Sequence, residues 1–106
     1  MTATRTPRVV IVTGAARGIG AATARRLARD GNAVAIFDLD ESGCAKTVAA
    51  VEEEGGTALA IRVEITDGER VEAAVGRVAT ELGAPRALVN NAGATPDNLV
   101  FQNDRS

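Results

Sequence analysis

Thr13-Gly14-Ala15-Ala16-Arg17-Gly18-Ile19-Gly20 decides how this chain of 106 residues is read. It closes Val9 to Thr13 (VVIVT), a continuous β-branched apolar run behind a proline, which reads as a strand buried on both faces, as in a parallel sheet. It opens Ile19 to Asp30, rich in Ala, Leu and Arg, where Ile19, Thr23 and Leu27 step by four along one helix face and Gly31 is placed to end the helix. Glycines spaced by four and then two allow a tight turn, bring bare backbone N–H groups against a pyrophosphate and let the helix pack closely on the sheet. The helix N-terminus then meets the phosphates with its partial positive charge. The spacing is not G-x-G-x-x-G, and no Lys-Ser/Thr pair follows Gly18, so this is no Walker A loop and ATP or GTP hydrolysis is disfavoured. A glycine-rich turn that holds no ligand is the competing interpretation.

Working outward, Ala33 to Phe37 (AVAIF) is a second buried strand, closed by Asp38. Asp38 stands 18 residues after Gly20, where a dinucleotide fold places an acid to accept hydrogen bonds from the adenosine ribose. A carboxylate there repels a 2′-phosphate and so favours NAD over NADP. Arg17 pulls the other way, because a guanidinium in the loop can meet a phosphate; a solvated, exposed side chain is its equal alternative. Asp40 reads as a helix cap rather than a ligand, and Cys44, Val48 and Val51 recur at helical spacing until Gly55 and Gly56 stop that helix. On that stripe Cys44 reads as a packed thiol rather than a reactive one. Thr57 to Val63 (TALAIRV) is a third strand, and Asp67 opens a third helix with Val71, Val75, Val78 and Leu82 inward. Burying all four would contribute at most about 6–12 kcal/mol, against about 1 kcal/mol lost at Gly76. After Gly83, Ala87 to Val89 (ALV) makes a short fourth strand that runs into Asn90, Asn91, Ala92 and Gly93. The tail shows turn chemistry at Pro96 to Asn98 and no further element. Strands alternating with helices imply successive βαβ units and a doubly wound, Rossmann-type α/β fold with a parallel sheet.

Composition narrows the chemistry. With 45% hydrophobic and 25% charged residues and a net charge of −2, the chain fits one domain with a single modest core. It has no His, Tyr or Trp, one Lys (Lys46) and one Cys. A His-based triad, a His metal cluster, a multi-cysteine zinc site and a Tyr proton donor are excluded within these residues, so no metal ligand is assigned. The charges are mixed along the chain, which leaves neither a nucleic-acid footprint nor a membrane-attracting cluster. The sequence has no apolar run long enough for a membrane span, no signal pattern in its polar start and no cysteine pair, and a cytoplasmic protein is expected.

TGAARGIG after the first strand, Asp38 after the second, Val63-Glu64-Ile65-Thr66-Asp67 after the third and LVNNAG after the fourth together resemble the short-chain dehydrogenase/reductase family. The resemblance covers essentially the whole chain. The Asp97-Asn98-Leu99 stretch after NNAG further resembles the 3-oxoacyl-[acyl-carrier-protein] reductase branch. Strand order 3-2-1-4 is implied. So are a pyrophosphate cradle of Gly14, Arg17, Gly18, Ile19 and Gly20, ribose selection by Asp38, and an adenine border of Glu64 and Ile65. Asn91, Ala92 and Gly93 would line the nicotinamide-side ribose, with Asn90 tying the central strands together. A purely structural role in bonding the loop is the alternative for Asn90 and Asn91. Two positions depart from the family pattern, which commonly has Asp where Glu64 and Arg86 stand.

In the resembled family a nicotinamide cofactor exchanges hydride with a carbonyl or alcohol while Tyr, Lys, Ser and a further Asn handle the proton and substrate. Those four positions fall after residue 106, so no catalytic residue is assigned. The expectation is the amino-terminal, dinucleotide-binding part of one Rossmann domain, inactive alone, from an enzyme acting on a small carbonyl, alcohol or acyl-carrier substrate. The alternative is a non-catalytic dinucleotide-binding module that docks on a partner. Strand four would be an unpaired edge and one sheet face would carry a single helix, an arrangement that invites self-association.

Overall fold

The computed structural model describes residues 7–91. Seven elements alternate along them: β1 (Val9–Thr13), α1 (Gly18–Arg29), β2 (Ala33–Asp38), α2 (Glu41–Glu53), β3 (Thr57–Arg62), α3 (Gly68–Glu81) and β4 (Pro85–Asn90). The strands form one sheet, all pairs parallel, in the order β3-β2-β1-β4. This is the doubly wound arrangement that the alternation predicts.

The two apolar central strands are buried on both faces because their alternate residues serve different layers. Val10, Val12, Val34 and Ile36 pack with Ala24, Ala28, Cys44 and Val51 under α1 and α2. Val9, Ile11, Ala33, Ala35 and Phe37 face the other way, with Ile61 and Val63, and meet Ala74 and Val78 of α3. Among the described residues one face therefore carries two helices and the other a single helix.

Three details differ from the sequence expectation. In α1 the buried stripe is Gly20, Ala24 and Ala28, one position on from Ile19, Thr23 and Leu27; Ile19 is 77% exposed. Small residues win that face because the helix lies directly on the sheet, where larger side chains would hold it away. In α3, Val78 and Ala74 are buried while Val71, Val75 and Leu82 are half-buried, so the hydrophobic gain is smaller than full burial of four side chains would give. Strand β4 is longer than ALV, starting at Pro85. Val9 pairs with Pro85 and Val10 with Ala87, so Arg86 is the extra residue of a bulge.

Asp40 caps α2 by accepting from the Gly43 N–H at 3.0 Å, and Asp67 caps α3 by accepting from the Arg70 N–H at 3.2 Å. No described helix is long and apolar enough to cross a membrane.

Candidate functional site

Because every strand runs the same way, their carboxyl ends share one sheet edge. Thr13 lies beside Phe37 and Asn90, and Asp38 beside Arg62. The order reverses between β1 and β4, the switch point outside which an open α/β sheet leaves its crevice. The glycine-rich loop sits there.

Gly14 and Gly18 hold φ of 66° and 62°, left-handed values that side chains disfavour. The Gly14 N–H donates to the Phe37 carbonyl at 2.9 Å, and Ala15 and Ala16 turn into the core. Gly20, in the first turn of α1, lies against the Gly14 carbonyl; a Cβ built on it would collide with that oxygen and stand 2.7 Å from Asn91 Nδ2. The backbone of Arg17, which caps α1, is extended, no side chain bonds the cap, and the first turn holds no acid. The N–H groups of that turn therefore have no side-chain acceptor, and the positive end of the helix is open to an anion.

Asp38 closes one side of the loop. One of its oxygens accepts from the Ala16 N–H at 3.2 Å and the other from the Asp40 N–H at 3.0 Å. These two bonds fix the half-buried carboxylate and leave each oxygen a further lone pair for a hydroxyl donor. Asp40 is held below the ordinary carboxylate range by the Gly43 N–H first and the Ser42 hydroxyl second, with Arg17 adding its positive charge.

On the other side the Thr13 hydroxyl donates to Asn90 Oδ1 at 2.9 Å and accepts from the Asn91 N–H at 2.9 Å. Asn91 Nδ2 donates to the Gly14 carbonyl at 3.2 Å. Both asparagines thus bond β4 to β1 and its loop. Glu64 and Ile65 follow β3 at the same sheet edge, in a turn closed by the Asp67 N–H on the Glu64 carbonyl at 3.0 Å. The Glu64 side chain is exposed and accepts from the Thr66 hydroxyl at 2.7 Å. Ala92, Gly93 and the Pro96 to Asn98 turn lie outside the described residues.

Two contributors escape the sequence motifs. Gly43 lets α2 touch the loop, since a Cβ there would lie 2.8 Å from both the carbonyl oxygen and the Cβ of Ala16. Thr47, one turn later, donates its hydroxyl to the Ala15 carbonyl at 2.9 Å. The available signal was a polar residue three positions after Cys44 and four before Val51, on the inner stripe of the helix. Cys44 itself is buried, and burial, then the charges of Asp38, Asp40 and Glu41, push its thiol up to about 11. It is a packed, protonated thiol. A separate shallow cleft of about 210 Å³ between β3 and α3, lined by Ile61, Val63, Ala73, Ala74 and three arginines, contains none of the expected site residues.

The arrangement offers an uncapped helix end for an anion, a glycine that admits close backbone approach and a carboxylate with spare acceptor capacity for hydroxyls. A family model described as short chain dehydrogenase matches residues 8–105. The chain is 46% identical over 93 residues to the short-chain reductase protein NovJ of Streptomyces niveus, covering 88% of this chain and 36% of that protein. It is 49% identical over 86 residues to the cis-4-hydroxycyclohexanecarboxylate dehydrogenase of Sinomonas cyclohexanicum, covering 81% and 34%. Identity to the 3-oxoacyl-[acyl-carrier-protein] reductase FabG of Staphylococcus aureus is 38% over 96 residues, covering 87% and 38%. Among solved structures, NAD+-bound xylitol dehydrogenase superposes with a TM-score of 0.79 at 37% identity, covering 86% of this chain and 35% of that one. The chain spans about a third of the length of these three curated relatives.

Proposed function

The chain belongs to the short chain dehydrogenase family, and on that premise we propose that residues 1–106 are the dinucleotide-binding part of an NAD-dependent oxidoreductase. The observation that carries this is the loop itself: Gly20 seated against the Gly14 carbonyl, beside an uncapped helix end and flanked by the fixed carboxylate of Asp38. When bound, the nicotinamide gives or takes the hydride in a carbonyl/alcohol interconversion. The residues of this chain bind and orient. Backbone N–H groups from Gly18 to Gly20 meet the pyrophosphate, with Arg17 and Ile19 alongside it. Asp38 would accept from the adenosine ribose and turn away a 2′-phosphate, and by the family resemblance Glu64 and Ile65 would border the adenine and Asn91, Ala92 and Gly93 would line the second ribose. No proton-transfer step is assigned to a residue of this chain.

For the substrate, the Asp97-Asn98-Leu99 stretch and the 38% identity to FabG support a 3-oxoacyl group on an acyl carrier. The higher identity to an enzyme named for a hydroxycyclohexane carboxylate supports a free alcohol equally. The test of cofactor choice is a fluorescence titration with NADH and NADPH. Asp38→Ala should weaken NADH binding about tenfold, as expected for losing hydrogen bonds to a charged group, and narrow the gap to NADPH. Unchanged NADH affinity removes Asp38 from the site.

One observation favours a second interpretation, a binding module that docks on a partner. Among the described residues β4 has no neighbour on its outer side, and Arg86, Ala87 and Leu88 are exposed there.

A further inference from the structure

We infer that Thr47 is a positioning residue for the glycine-rich loop: acting from α2 through the Ala15 carbonyl, it holds that loop in the shape the dinucleotide requires. This rests on reading the loop as the dinucleotide cradle. Thr47 is 3% exposed, so its hydroxyl must find its partner inside the protein. Three carbonyl oxygens surround it: Ala15 at 2.9 Å, Gly43 at 3.2 Å and Ala16 at 3.5 Å. A hydroxyl has one proton to donate, and the shortest bond goes to the loop rather than back along the helix.

The bond crosses 32 positions of sequence and ends at the residue before Ala16, whose N–H is held by Asp38. Consecutive loop residues are thus fixed from two sides, Ala15 by α2 and Ala16 by the end of β2. Gly43 makes this contact possible, because any side chain there would meet Ala16 and push α2 off the loop. Without the hydroxyl, the Ala15 carbonyl loses a buried donor, and the loop can rotate away from the geometry in which Gly20 sits under Gly14. The N–H groups that would meet the pyrophosphate would then no longer converge.

The test compares Thr47→Val, which keeps the shape and removes the hydroxyl, with Thr47→Ser, which keeps the hydroxyl and removes a methyl. Amide hydrogen exchange by NMR on the whole 106-residue chain reads the loop without any ligand, and an NADH titration reads its consequence. In the valine variant the Ala16 amide should exchange at least about tenfold faster relative to the amides of β2, and NADH should bind about tenfold more weakly, the size of one buried hydrogen bond. The serine variant should match the parent chain in both. A packing role predicts the reverse order, with valine silent and serine impaired, and that result overturns the inference. So does equal impairment of both variants. If the valine variant does not fold, the serine variant decides: an unchanged Ala16 amide supports the hydroxyl, and a tenfold faster one refutes it. Failure of the parent chain to bind NADH would remove the dinucleotide assignment instead, and the Ala16 amide would still report whether the hydroxyl sets the loop.

Discussion

Gly20 and Cys44 show what single positions do around this loop. At Gly20 the obstacle to any side chain is backbone, the Gly14 carbonyl, which cannot swing aside as a flexible side chain would. Gly20→Ala should therefore destabilise the domain by about 1–3 kcal/mol, as overpacking does, and abolish NADH binding; an alanine variant that binds normally would show the loop to be loosely seated. Cys44 tests the packing beneath Asp38 through pH. Its thiol titrates near 11 in the folded chain against 9.0 when exposed, so the unfolded chain releases the proton first. The contribution to stability is complete below pH 9 and is lost as pH rises towards 11. Denaturant midpoints measured from pH 8 to 10.5 should fall in the parent chain and fall less in Cys44→Ala; parallel curves would contradict a raised thiol pKa.

At the scale of elements, α1 and α3 show where periodicity misleads and where it informs. Ile19, Thr23 and Leu27 mark the apolar edge of α1, but contact with the sheet is decided by closeness, and the small residues Gly20, Ala24 and Ala28 get nearer. Hydrophobicity scales weigh side-chain size as burial and so place the stripe one residue early. In α3 the helix and its Asp67 cap were legible, because a clean apolar period and a capping acid are both local signals. Gly76 sits in the interior of that helix with open space where a Cβ would go. Gly76→Ala should stabilise the domain by about 1 kcal/mol, a rise in Tm of about 4–8 °C by thermal unfolding; no rise would mean that the helix end frays before the sheet melts. The contribution of α2 to the loop was not legible in the same way. The bond from Thr47 to Ala15 depends on how α2 is set down across the first crossover, which no local pattern encodes. The closeness of Asp38 to the glycine-rich loop was legible because strand, turn and helix bring them together in order.

For the molecule as a whole, the sheet order is the one the family resemblance implies, and among the described residues it leaves the outer side of β4 without a neighbour. Leu88 pairs with Ile11, on the face that carries only α3, yet it remains 60% exposed. An open strand edge with an apolar side chain is a template for association. Leu88→Lys should weaken self-association at least about tenfold in sedimentation velocity, since a desolvated charge would oppose pairing; a parent chain that is monomeric at high concentration would leave the edge without that role. The bonds from Asn90 and Asn91 to Thr13 carry a different consequence, for time rather than for geometry. They join residues 77 and 78 positions apart, whereas β1, β2 and β3 are linked in succession by one helix each. Pairing between near neighbours precedes closure over such a span. During synthesis the three-strand half can form while β4 is still being made, and the loop gains its last support only when β4 docks. The first moment at which the chain could hold a dinucleotide would then follow the docking of β4.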